Sequence, residues 1–205
     1  MARLSAELNN HFFDVVKTPQ VTLKEILSLA GERTFGFLFV LLSLPSALPL
    51  PAPGYSTPFG IVMFLLAVQL IAGRTRPWMP EKWNDKQFDL VSVQKIVKAG
   101  TPWLQRLEAI SRPRLTPICT SLVGRTIIGI AIALMSISMM IPIPGTNTLP
   151  AMGIFVTGFG LLDDDGAISL GGLTLCVMAG TLTTLILTFG YEAVKTALGF
   201  LRNGL

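Results

Sequence analysis

Three long charge-free stretches constrain the fold of this chain more than any other feature. Residues 34–73, 126–162 and 166–191 contain no Asp, Glu, Lys or Arg over 40, 37 and 26 positions. Hydrophobic residues make up 51% of the 205 residues and charged residues only 14%, so little polar sequence remains to shield these stretches from water. The sequence therefore predicts an all-α integral membrane protein whose charge-free stretches lie in lipid.

The first two stretches follow one plan, which predicts an internal repeat of two Pro-broken helical hairpins, each preceded by amphipathic helices. An offset of 92 residues sets Arg33 on Arg125 and Pro58 on Pro150. In both units an apolar arm meets a Pro- and Gly-rich break and then resumes. The break residues are Pro49, Pro51 and Gly54 in the first unit and Pro142, Pro144 and Gly145 in the second.

The chain is predicted to form a single membrane domain over residues 1–205. Its parts are repeat 1 at about 21–73, a basic linker at 74–100, repeat 2 at about 101–165, a C-terminal transmembrane helix at 166–191 and a tail at 192–205. Ten of the sixteen basic residues lie between Arg74 and Arg125, so the linker is expected in the cytoplasm, facing anionic headgroups. Their wide spacing does not favour a nucleic-acid partner.

Arm length leaves two arrangements open for the hairpins. Arms of 15–17 residues reach about 25 Å as α-helix, against a hydrocarbon core of about 30 Å. The hairpins are therefore either re-entrant, with breaks packed against each other, or fully spanning with breaks at the far interface. Ahead of repeat 1, Thr22 and Glu25 form a capping-box pattern that predicts a helix on the membrane surface.

An enzyme is not predicted, because the residues that catalysis and metal binding require are sparse. His11 is the only histidine, and Cys119 and Cys176 lie far apart, so we expect no catalytic residue, metal site or cofactor. Residues 163–165 are three consecutive aspartates. Consecutive side chains point in different directions, so they predict a solvated interfacial turn in preference to a cation site.

Five polar residues are candidates for a buried pair or a polar pathway. Glu32, Arg33 and Arg125 border the apolar arms and either form a buried ion pair or extend to the headgroups. Gln69 lies in a returning arm and Asn147 at the second break. If the breaks meet in the bilayer, these groups line a polar route; alternatively they satisfy backbone groups and pass nothing.

Several short motifs in a fixed order resemble the ExoD family of bacterial membrane proteins associated with exopolysaccharide production. The motifs are Gly31-Glu32-Arg33, Leu48-Pro49-Leu50-Pro51, Gln69-Leu70 with Gly73-Arg74, Arg76-Pro77-Trp78-Met79-Pro80, Pro102-Trp103-Leu104, Arg112-Pro113-Arg114-Leu115 and the segment around Asn147. The resemblance covers about residues 21–166. It implies a multi-pass protein of the bacterial cytoplasmic (inner) membrane and supplies no catalytic or ligand residue.

Two functions follow as expectations. The first is a transporter-like protein supporting exopolysaccharide production, moving a small ion or a lipid-linked intermediate. The alternative is a non-transporting accessory or regulatory subunit of a polysaccharide biosynthesis machine, docked through the basic linker. The small-residue spacings of Gly153 with Thr157, and of Gly172 with Cys176 and Gly180, fit either a homodimer or packing within the chain.

Overall fold

A computed structural model describes residues 20–22, 31–47, 56–80, 87–90, 111–141 and 147–190, with the single positions 10, 13, 27, 94, 98, 105 and 109. This part of the chain contains six α-helices: α1 Thr34–Ala47, α2 Ser56–Ile71, α3 Pro117–Thr120, α4 Leu122–Met140, α5 Thr148–Leu162 and α6 Gly166–Phe189. The predicted helical architecture is therefore confirmed for this part of the chain, while the repeat and the hairpins stay predictions. A 3-10 turn, Gly31–Arg33, precedes α1.

One feature was not predicted: a short antiparallel ribbon joins the N-terminal region to the linker. Strand β1, Gln20–Thr22, pairs with strand β2, Gln87–Asp89. Thr22, which we expected at the start of a surface helix, lies opposite Gln87 in this ribbon. Most of that expected helix lies outside the described residues, as do the six Pro and Gly break residues, the tail and His11.

The helix ends follow from local sequence signals. Helix α4 begins after Ser121, whose Oγ accepts a hydrogen bond from the amide of Gly124 at 3.1 Å. It ends before Ile141, which is extended at φ −79° and ψ 117°, because the residue before a proline disfavours the helical conformation. Helix α6 ends at Gly190, whose φ of 83° is accessible to glycine without strain.

Helix α1 packs antiparallel on α5, across a contact that only glycine permits. A Cβ on Gly36 would lie 2.5 Å from the backbone nitrogen of Leu162, and one on Gly158 would lie 2.8 Å from Cβ of Phe39. Helix α1, the predicted first arm of repeat 1, therefore lies against α5, the predicted second arm of repeat 2.

Helices α2 and α4 form the other antiparallel pair. A Cβ on Gly60 would lie 3.0 Å from the carbonyl oxygen of Ser136, near the end of α4. At the opposite end of the pair, a Cβ on Gly129 would lie 3.2 Å from the carbonyl oxygen of Ala67. Here the predicted second arm of repeat 1 lies against the predicted first arm of repeat 2.

Helix α6 returns along α5 and uses the small residues noted in the sequence. A Cβ on Gly153 would lie 2.8 Å from Sγ of Cys176, and one on Gly172 would lie 2.3 Å from the backbone nitrogen of Thr157. The two small-residue spacings therefore face each other within one chain, where they let the helix backbones approach closely. Near its far end, α6 also contacts α4 through a Ser138–Thr183 hydroxyl pair at 2.9 Å.

These pairings fix the two ends of the bundle. The entrance end contains Thr34, Ile71, Leu122, Leu162 and Gly166; the tip end contains Ala47, Ser56, Met140, Thr148 and Phe189.

Two helices of the described part are long and apolar enough to cross a membrane, α4 and α6. Only 22% of an 18-residue apolar stretch of α6 is buried, whereas the core helix of a soluble protein would be mostly buried. Side chains such as Leu134, Val177 and Phe189 are 56%, 69% and 70% exposed. A continuous outward face of this kind indicates a membrane location. Helices α1, α2 and α5 are apolar but shorter.

Candidate functional site

At the entrance end, Gln69 fastens the segment that follows α2. Its Oε1 accepts from the amide of Trp78 at 2.5 Å, and its Nε2 donates to the carbonyl of the same residue at 3.3 Å. One side-chain amide thus satisfies both backbone groups of Trp78. Trp78 itself is 62% exposed. In this structure Gln69 acts as a clamp on the backbone of the Arg76–Pro80 motif.

Arg125 lies beside the end of α2. Its Nη2 donates to the carbonyl of Arg74 at 2.9 Å, while the Arg74 amide donates to the carbonyl of Gln69 at 3.2 Å. A guanidinium at the C-terminal end of a helix is favoured by the helix dipole. The Nε of Arg125 is buried and has no hydrogen-bond partner in the part of the chain that the structure describes. Arg125 therefore stabilises the end of α2 and keeps one donor unused.

Asp165 accepts three backbone hydrogen bonds from described residues at the entrance end. It is 2% exposed, and its Oδ1 accepts from the amides of Ala167 and Ile168 at 3.0 and 3.3 Å. Its Oδ2 accepts from the amide of Arg112 at 2.9 Å, and the Gly166 amide donates to the carbonyl of Arg114 at 2.7 Å. The prediction of a solvated aspartate turn is wrong for Asp165, because the 112–114 segment folds over it.

Cys119 connects the same region to α5 and α6. Its Sγ lies 3.5 Å from the carbonyl of Gly160, to which it donates, and 3.3 Å from Oγ of Ser169. Burial raises the pKa of the Cys119 thiol, and the carboxylates of Asp164 and Asp165 raise it further, against a lowering by the Ser169 hydrogen bond. A protonated, buried thiol is a packing and hydrogen-bonding group and not a nucleophile.

At the tip end, two buried oxygens have no hydrogen-bond partner among the described residues. Ser46 is 3% exposed and its Oγ makes no hydrogen bond, whereas Oγ of Ser43, one turn earlier, donates to the carbonyl of Phe39 at 2.6 Å. Asn147 occupies the N-cap of α5 without making a side-chain cap, and its Oδ1 is also buried and unpartnered. From Gly36 opposite Leu162, the antiparallel register carries Ser46 to the first turns of α5.

The five predicted polar residues do not form one cluster. Gln69 and Arg125 lie at the entrance end and Asn147 at the tip end. Arg33 is half-buried at the end of the 3-10 turn, and the Glu32 side chain lies outside the described ones. The pairing of Glu32 with either arginine stays a prediction.

Sequence reasoning missed Asp165 and Ser46. For Asp165 a signal existed, since an aspartate directly before an apolar helix is a strong N-cap candidate. For Ser46 none existed, because serine is common in apolar helices. Among the described residues, no group of three His, Cys, Asp or Glu side chains is arranged to hold a metal ion.

Comparison with known proteins gives a consistent result. The family model described as "Exopolysaccharide synthesis, ExoD" matches residues 4–185. An uncharacterized protein of Synechocystis sp. is 51% identical over 205 residues, covering 100% of this chain and 97% of its own length. Protein ExoD of Rhizobium meliloti is 29% identical over 182 residues, covering 87% of this chain and 74% of its own. No solved structure matches the chain.

Proposed function

Because the chain belongs to the ExoD family, which implies involvement in exopolysaccharide synthesis, we propose that it supports this process by moving a small ion or a lipid-linked intermediate across the bacterial cytoplasmic membrane. The unpartnered oxygens at the tip end carry the proposal. A native structure rarely leaves a buried polar atom unsatisfied, so such atoms call for a partner that the described residues do not supply, and a transported ion or headgroup is the partner proposed here. Ser46 and Asn147 supply two such atoms.

The helix pairing supports a repeat of two hairpins related by an axis along the membrane normal. Gly36 of α1 packs on Leu162 of α5, and Gly129 of α4 packs on Ala67 and Ile71 of α2. Glycine in the first arm of each unit thus contacts the second arm of the other. Two repeats exchanging arms in this way would bring both proline breaks to one end of the bundle, as in transporters built from repeats.

Ion movement can be tested with the full chain in liposomes carrying an ion gradient. Asn147→Ala and Ser46→Ala are expected to lower the rate of gradient loss, because each removes an oxygen that the cargo would meet. Ser43→Ala is the matched control, since its hydroxyl is already bonded to the Phe39 carbonyl and its flux should equal that of the wild type. Glu32→Gln tests the entrance residue in the same assay.

Two outcomes would decide against this version. If the wild-type protein leaves gradients of several ions unchanged, ion movement is excluded and movement of a labelled phospholipid becomes the test. If Ser43→Ala lowers flux as much as Ser46→Ala, the tip oxygens have no special role.

Cysteines placed at Ser56 and Thr148 and labelled from each side separate the two hairpin arrangements. Labelling from outside indicates full spans, and protection from both sides indicates re-entrant breaks.

The alternative is an accessory subunit that anchors a polysaccharide-producing machine. The exposed side chains of Arg76, Trp78, Arg112 and Arg114 at the entrance end favour it, because arginine and tryptophan are enriched where proteins associate. Under this alternative, Trp78→Ala and Arg114→Ala reduce co-purification of partner proteins from the native membrane. Transport activity would be absent from the purified wild-type chain.

A further inference from the structure

An apolar groove opens on the surface of the bundle near the entrance end, between α3, α4 and α6. Its volume is about 310 Å³. The walls include Ile118 of α3, Val123 and Ile127 of α4, and Leu170 and Leu173 of α6. Along α6 the groove extends over the first two turns, about 10 Å from the start of the helix.

Water is a poor occupant of this groove. Among the described residues that line it, Ser121 alone has a polar side chain, and its Oγ already accepts from the amide of Gly124 at 3.1 Å. The Ser121 amide donates to the carbonyl of Pro117 at 3.0 Å, so it is satisfied as well. A bound water needs about two to four polar partners. The lining therefore favours an apolar occupant.

The size of the groove matches a hydrocarbon chain and not a helix of a partner protein. An α-helix with its side chains is about 10 Å across, so one turn of it, about 5.4 Å long, has a volume of about 400 Å³. The groove, at about 310 Å³, cannot hold even one such turn. A single acyl chain has no backbone polar groups to satisfy and is narrow enough to enter.

The groove is also continuous with the outward apolar face of α4 and α6. Val123, Ile127 and Leu170 line it and are 69%, 53% and 42% exposed, so its outer walls belong to the surface that faces lipid. An acyl chain lying against that surface can enter the groove from the side without leaving the hydrocarbon layer. We propose that the groove binds one acyl chain of a membrane phospholipid. The site depends on the membrane location of α4 and α6 and not on transport.

The experiment uses the full chain in phosphatidylcholine vesicles that contain the same lipid with a photoreactive diazirine in the upper half of one acyl chain. After illumination, mass spectrometry of the peptides locates the label, which is expected to concentrate on Ile118, Ile127 and Leu170. Ile127→Trp should lower labelling of the groove by about half or more, because the larger side chain fills part of it.

Leu134→Trp is the matched control for Ile127→Trp. Leu134 lies about two turns further along the same face of α4 and is 56% exposed, but it is not among the residues that line the groove. Labelling of the groove should be unchanged in this variant. A second pair serves if Ile127→Trp does not fold: Leu170→Trp narrows the groove from α6, and Val177→Trp, on an exposed part of the same helix, is its control.

Three results would overturn the proposal. Label spread evenly over the exposed side chains of α4 and α6 would show that acyl chains contact this surface without preference for the groove. Equal groove labelling in Leu170→Trp and Val177→Trp would show that the groove does not hold the chain. Label on Leu134 but none in the groove of the wild type would show that another occupant, such as a second copy of the chain, covers it.

Discussion

Helices α5 and α6 begin with closely related residues that behave in opposite ways. Asp165, at the start of α6, is buried at the entrance end and accepts three backbone amides. Asn147, at the start of α5, lies at the tip end and caps nothing with its side chain. Both residue types are good N-caps, so the difference is one of context. The comparison indicates that a side-chain cap and the 112–114 segment hold the start of α6, whereas no side-chain cap holds the start of α5.

The largest effect is expected at the α6 start. Asp165→Ala removes the buried carboxylate that accepts from three backbone amides and should lower the free energy of unfolding by about 3 kcal/mol. Asn147→Ala should lower it by less than about 0.5 kcal/mol, because no cap bond is lost. Thermal unfolding in detergent, followed by tryptophan fluorescence, measures both. Equal losses in the two variants would remove the distinction between the ends.

Close backbone packing at the entrance end gives the second prediction. A Cβ on Gly124 would lie 2.1 Å from the carbonyl oxygen of Ile118, which cannot move without shifting α3. Gly124→Ala should therefore cost about 2 kcal/mol of unfolding free energy. Gly171→Ala is the control, since nothing lies within 4 Å of that position, and it should be neutral or stabilising in the same unfolding measurement. A neutral Gly124→Ala would show that α3 is loosely held.

Asp165 also shows which features could be predicted from the sequence and which could not. The charge-free stretches located five apolar helices because such runs have few alternatives in a chain this poor in charge. The burial of Asp165, however, depends on the amide of Arg112, 53 positions earlier, and no local pattern encodes that contact. Likewise, the apolar arms have similar compositions, so the pairing of α1 with α5 and of α2 with α4 could not be predicted from the sequence. It depends on where Gly36 and Gly129 meet opposing backbones.

For the candidate site too, some features could be predicted from the sequence and others could not. Gln69, Arg125 and Asn147 were recognisable because polar residues are conspicuous beside apolar runs. Their partners were not, since the Gln69 amide bonds Trp78 and the Arg125 guanidinium bonds Arg74, in both cases through backbone atoms. Backbone partners carry no residue-type signature. The sequence therefore indicates which side chains matter but not whether they hold the fold or meet a ligand.

A third, smaller effect tests the clamp at the entrance end. Gln69→Met removes both bonds to Trp78 and should cost about 1 kcal/mol. Gln69→Glu keeps the acceptor for the Trp78 amide and loses the donor, so its effect should lie between those of Gln69→Met and the wild type. Quenching of tryptophan fluorescence by a water-soluble quencher should increase in the same order. If the Gln69 bonds to Trp78 have no structural importance, the wild type and both variants will have the same stability and the same quenching.

The smallest effect separates Ser43 from Ser46 and bears most directly on the tip end. The Ser43 hydroxyl bonds a helix carbonyl that already has an amide partner, so Ser43→Ala should change the unfolding free energy by less than about 0.5 kcal/mol. If water or cargo satisfies Ser46, Ser46→Ala loses that bond and should cost about 1 kcal/mol. If the tip is dry, the same substitution deletes an unsatisfied oxygen and leaves the protein equally or more stable. The sign of the Ser46→Ala change relative to Ser43→Ala therefore decides whether the tip end is occupied, independently of any transport assay.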